Sequence, residues 1–290
     1  MAGAPAPAQR TDTPRATYSL LPRRVTAVVV AWLLVLAGLA WVITARQAND
    51  MSDMVTGLGQ VGGLAPNDMA IPVILGMWVG MMVAMMLPAV APIVLAHRTV
   101  VVKRGEGGGA TAAFIGGYLG VWSLIGVLPL LAFLGFRNLA ADAGDSLWLP
   151  TLAGGVLAVA GAYQFTRWKA LCLRACRSPL QFVLTHDFGG GARSAFRAGV
   201  SHGAYCLGCC WALMAVLVVV GLMNLVWMVA VALIFVAEKN WRHAVGLTRV
   251  VGVGLLALGL TVILHPSLLP TVSGVGDDPP VMGEHMGHMG

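Results

Sequence analysis

Long, uninterrupted apolar runs constrain this chain more than any motif does. Between residues 25 and 264, stretches of about 18 or more apolar residues recur, which is the length of a membrane span rather than of a soluble core helix. The runs are continuous, whereas the strands of a membrane barrel alternate lipid-facing and lumen-facing residues, which argues against a β-barrel. Only 10% of the 290 residues are charged and 58% are hydrophobic, against about 25% charged in soluble domains. The expected fold class is all-α: a polytopic transmembrane helical bundle of about seven spans.

The spans read in order as 25–45, 70–96, 110–136, 147–165, 198–222, 225–237 and 245–264. Arg23 and Arg24 precede the first, whose apolar stretch exceeds a signal-peptide core, so it reads as a retained signal anchor. Pro72, Pro88 and Pro92 fall in the second span and predict a kink in its latter half. Gly116, Gly117 and Gly120 give the third a small-residue packing face. Residues 1–22 read as a disordered cytoplasmic tail, 23–268 as the transmembrane domain, and 269–290 as an extracytoplasmic tail containing His and Met.

Seven spans place the termini on opposite sides. With the N-terminus inside, 16 of the 18 Lys and Arg fall on the cytoplasmic side, counting Arg249 just inside the seventh span, and Arg46 and Arg137 are the exceptions. Eight of the 12 acidic residues then lie outside. This is the positive-inside pattern, and it gives an N-in, C-out orientation. The same placement accounts for the net charge of +6 without a nucleic-acid partner; the bilayer is the partner expected.

Two segments carry chemistry. Met77, Met81 and Met85 are four apart and share a helix face, with Met82 and Met86 on the neighbouring stripe. These are five of the chain's 15 methionines within ten residues. Cys206, Cys210 and Met214 are again four apart, Cys209 lies beside that face, and His202 is one turn before Cys206. Thioethers and thiolates are soft ligands, and they suit Cu(I) above all, with zinc or another soft metal as the alternative. Counting residues from each end puts both clusters near the bilayer midplane on oppositely running spans. A single site shared by Met81 or Met85 with Cys206 or Cys210 follows as an expectation.

Further candidates lie at the edges. Cys172 and Cys176 form a two-thiol clamp at the cytoplasmic face, where Lys169, Arg174 and Arg177 should depress the thiol pKa. Glu238 sits at the inner end of span six as a further ligand or as half of an internal ion pair. The same count puts Lys239 level with Cys206. His285 and His288, each followed by Met, could collect metal outside. His97 reads as an interfacial polar residue.

The patterns W-x-x-M-x-x-A-M-M-x-P (Trp78, Met81, Ala84, Met85, Met86, Pro88), C-L-x-x-C-R (Cys172, Leu173, Cys176, Arg177) and Y-C-x-G-C-C-W-x-L-M (Tyr205 to Met214) resemble a bacterial family of uncharacterised, predicted metal-binding integral membrane proteins. The resemblance covers about residues 70–245. It implies a multi-pass protein of the bacterial inner (plasma) membrane and metal binding, with no substrate specified.

The leading expectation is thus a membrane protein that binds or moves a soft metal, with a metallochaperone or another membrane subunit as partner. No Walker motif or phosphorylated-Asp motif occurs, which argues against ATP-driven pumping. Two rivals stand beside it. Cys206-Leu207-Gly208-Cys209 is formally a CxxC and could serve a thiol–disulfide relay. A structural or assembly subunit would use the Met and Gly faces for packing alone.

Overall fold

The computed structural model describes residues 23–51, 71–128, 131, 148–179, 191–221 and 224–268. These form eight α-helices and no strand: α1 (Arg23–Met51), α2 (Ile71–Lys103), α3 (Gly108–Ile125), α4 (Trp148–Tyr163), α5 (Arg167–Arg177), α6 (Gly191–Val220), α7 (Leu225–Asn240) and α8 (Ala244–Leu264), followed by a 3-10 turn at Pro266–Leu268. Both tails, and with them His285 and His288, lie outside the described residues.

Five helices are long and apolar enough to cross a membrane: α1, α2, α3, α6 and α8. The other two expected spans correspond to α4 and α7, each of 16 residues. A helix of that length rises about 24 Å, less than the ~30 Å of a bilayer's hydrocarbon.

Helix extends beyond the expected spans in two places. α2 runs through Pro88 and Pro92 and continues to Lys103, past the expected end at residue 96. Consequently His97 is buried rather than interfacial, stacked on Phe114 with ring centroids 4.6 Å apart. Arg98 next to it turns outward and donates to the Gly107 carbonyl at 3.1 Å. In the basic stretch after α4, the Thr166 hydroxyl accepts from the Lys169 amide at 3.3 Å and caps α5. That hydroxyl satisfies one of the four amides that a helix start leaves without a partner. α5 buries one face, made of Lys169, Leu173 and Cys176.

The helices that carry sulfur are the central ones. In their most apolar windows, 67% of α2 and 61% of α6 is buried inside the bundle, against 17% of α1. α6 packs most closely on α3, where Gly117 and Gly199 let the backbones touch. A Cβ on Gly199 would collide with the Phe114 carbonyl, and one on Gly117 with that of Phe196. α6 also meets α4, α5 and α7; α8 covers α4, and α1 covers α2. α2 and α6 share α3 and α7 as neighbours rather than forming a broad interface with each other.

Candidate metal centre

Three thiols converge in the bundle interior. The Sγ atoms of Cys206, Cys209 and Cys210 all lie within 4.8 Å of one another, and each residue is at most 1% exposed. Helical geometry accounts for this: positions 206, 209 and 210 are three and four apart and project to one side of α6. Cys209 Sγ is 3.3 Å from Cys210 Sγ and donates to the Cys206 carbonyl at 3.1 Å. All five cysteines are free thiols.

Cys206 is the electrostatic focus. Lys239 Nζ, from α7, donates to its sulfur at 3.0 Å, and the Tyr118 hydroxyl, from α3, lies 3.1 Å away. An ammonium has no acceptor, so the sulfur must accept from it. The same ammonium is 3.9 Å from Met86 Sδ and 5.9 Å from the centroid of Phe235. A buried cation thus already sits among a thiol, a thioether and an aromatic face, the surroundings that a soft monovalent ion also favours. Counting residues correctly set Lys239 level with Cys206. It gave no sign of Tyr118, whose position depends on the α3–α6 crossing.

The Met stripe enters the site at one end. Met81, Met82, Met85 and Met86 are each at most 2% exposed and belong to the same continuous core as the three cysteines. Met86 is the methionine whose sulfur shares Lys239 with Cys206. Met77, nine residues earlier on α2, is buried at the far end of the stripe, about 14 Å away along the axis. Met214 is buried one turn beyond Cys210. His202 is buried beside the rings of Tyr118 and Phe114, at centroid distances of 6.0 and 6.3 Å.

α5 brings the two-thiol clamp of Cys172 and Cys176 onto α6. Cys176 Sγ is buried 3.8 Å from Cys209 Sγ. Cys172, half-buried, rests its sulfur on Gly208, where a Cβ would stand 2.5 Å from it. Gly208 is therefore the seat of Cys172, and the Tyr163 hydroxyl steadies that turn of α6 by donating to the Gly208 carbonyl at 2.6 Å. The expectation that nearby Lys and Arg would lower these pKa values is corrected. Burial pushes the Cys172 thiol up. The Cys176 thiol is raised as well, chiefly by the neighbouring Cys206 sulfur and further by burial. Lys169, the cation expected to help, is engaged elsewhere: both oxygens of Glu238 lie 2.9 Å from its Nζ. Glu238 accordingly forms an internal ion pair and turns away from the thiols.

The donor set fits a soft metal: three thiols within reach of one another, a fourth beside them and one thioether at the edge. A thiolate set of this kind prefers Cu(I) or zinc over hard cations. Residues 75–262 match the family model described as PpoB2, copper chaperone. The chain belongs to that family. Comparison with curated proteins and with solved structures finds no match.

Proposed function

We propose that this protein holds Cu(I) as cargo in a sulfur site inside the membrane and passes it to a partner. The observation that carries this reading is the buried Cys206, Cys209 and Cys210 triad in a chain of a copper-chaperone family. Cys206 and Cys210 with Cys209 supply the holding ligands; Met86 supplies a thioether; Cys176 and Cys172 supply the route to the cytoplasmic edge. Two thiolates and one Cu(I) carry a net negative charge, which is costly in a low-dielectric interior. Lys239 supplies the compensating charge at 3.0 Å.

The chain sits in this reading as a multi-pass protein of a bacterial inner membrane, N-terminus in the cytoplasm, supported by the five apolar helices and by the bias of Lys and Arg. His285 and His288 would collect metal outside. The receiving partner is a metallochaperone or a membrane-bound copper protein. A thiol–disulfide relay is the second reading, favoured by the position of Cys209 between Cys176 and Cys210.

The test is anaerobic purification with copper and thiols measured in parallel. About one Cu(I) per chain is expected, lost when Cys206, Cys209 and Cys210 are changed to Ser. A metal-free protein with a disulfide that cycles between two of these cysteines would sink the copper reading in favour of the relay.

A further inference from the structure

One turn of α7 carries two opposite charges into the interior, and only Lys239 touches the sulfur site. Its neighbour Glu238 is held by Lys169 of α5 through two contacts of 2.9 Å. The Thr248 hydroxyl of α8 adds a third partner at 3.0 Å from Oε1. The lysine and glutamate side chains are 0% and 2% exposed. Three helices therefore meet at one ion pair shielded from water. Such a pair is weak evidence for stability, since well-packed apolar side chains of similar volume often replace a buried ion pair without loss. What it does supply is a fixed address: a charge buried without its partner is strongly unfavourable, so Lys169 has one place to be.

That address matters because of what else α5 carries. Its inward face is Lys169, Leu173 and Cys176, at positions i, i+4 and i+7. Lys169 precedes Cys176 by about two turns, so pinning Lys169 sets both the rotation and the register of the helix. In that register Cys176 Sγ lies 3.8 Å from Cys209 Sγ and Cys172 seats on Gly208. At its other end α5 is held by Arg177, which donates to the Trp241 carbonyl at 2.8 Å in an exposed bond. Water competes for an exposed bond of this kind, and it cannot reach the buried pair.

We propose that Lys169, Glu238 and Thr248 form a clasp that docks α5 on α6 and so positions Cys176 as the sulfur through which cargo leaves the buried thiols. Lys169 and Glu238 are positioning residues and touch no metal. The word cargo rests on the copper reading above; the docking of Cys176 does not.

The experiment uses the full chain in lipid nanodiscs. With Cys172, Cys206 and Cys210 changed to Ser, only Cys176 and Cys209 remain. Dibromobimane becomes strongly fluorescent when it alkylates two neighbouring thiols, so its signal reports the docked pair. The apolar replacement Lys169→Met with Glu238→Leu leaves no buried charge unpaired and should cut the signal about tenfold. The charge swap Lys169→Glu with Glu238→Lys should restore most of it. An undiminished signal in the apolar pair, with thermal stability intact, overturns the clasp.

A second arm keeps all five cysteines, loads Cu(I) and follows its release to a soluble chelator. The apolar pair and Cys176→Ser should slow release to the same degree, and combining them should slow it no further. Additive losses would show that the ion pair acts elsewhere. Should the unaltered chain hold no Cu(I), the copper reading fails, and the bimane signal still decides the docking.

Discussion

The Met stretch of α2 and the Cys stretch of α6 look alike in sequence and differ in their surroundings. Both are buried, both repeat at four residues, and both lie in one core. The thiols, however, have recruited partners from three other helices: Lys239 from α7, Tyr118 from α3 and Cys176 from α5. Among the thioethers, Met86 shares one of these partners. The difference follows from chemistry. A thioether is an uncharged, weak acceptor that packs anywhere apolar, whereas a thiol that is to become a thiolate needs donors and a countercharge. Partner recruitment, rather than sulfur content, separates a candidate site from filler.

The largest effect is expected at the countercharge. Lys239→Gln should weaken Cu(I) binding about 100-fold, near 2.7 kcal/mol, because the thiolate–copper pair loses its compensating ammonium; Lys239→Arg should recover part. Competition titration against a Cu(I) chelator measures it. Tighter binding in Lys239→Gln would instead make the ammonium a competitor that the metal must displace. A smaller effect is expected among the thioethers. Met86→Leu should cost about tenfold in the same titration, while Met77→Leu, about 14 Å further along α2, should cost less than about twofold. Equal losses at the two positions would mean that the stripe acts as a whole. The smallest effect concerns Cys172. Its raised pKa keeps the thiol protonated, so its alkylation rate should go on climbing as pH rises past the ordinary thiol range. A rate that levels off near neutral pH would mean that the basic residues around it do govern its ionisation.

The bundle itself was legible in the sequence because bilayer length is written directly into apolar run length. The cysteine triad was legible for a similar reason: positions 206, 209 and 210 share a side of any α-helix. Depth counting even paired Lys239 with Cys206, since opposed spans joined by a short turn have fixed relative heights. The docking of α5 was not legible although its i, i+4, i+7 face is regular, because that face begins with Lys169, and a lysine reads as solvent-facing until its carboxylate is known. The partner is Glu238, 69 residues away. Tyr118 was missed for a related reason. It reaches Cys206 because Gly117 and Gly199 let two backbones touch, and nothing local in either helix marks which glycine faces which.

The order Glu238-Lys239 has a mechanical consequence. Consecutive residues on a helix are separated by about 100° around its axis, so α7 grips the thiol site with one side and α5 with another. A twist of α7 that moves Lys239 away from Cys206 must also carry Glu238 along its arc. The two contacts are thereby geared together: any rotation of α7 felt at Cys206 is felt at Lys169 as well.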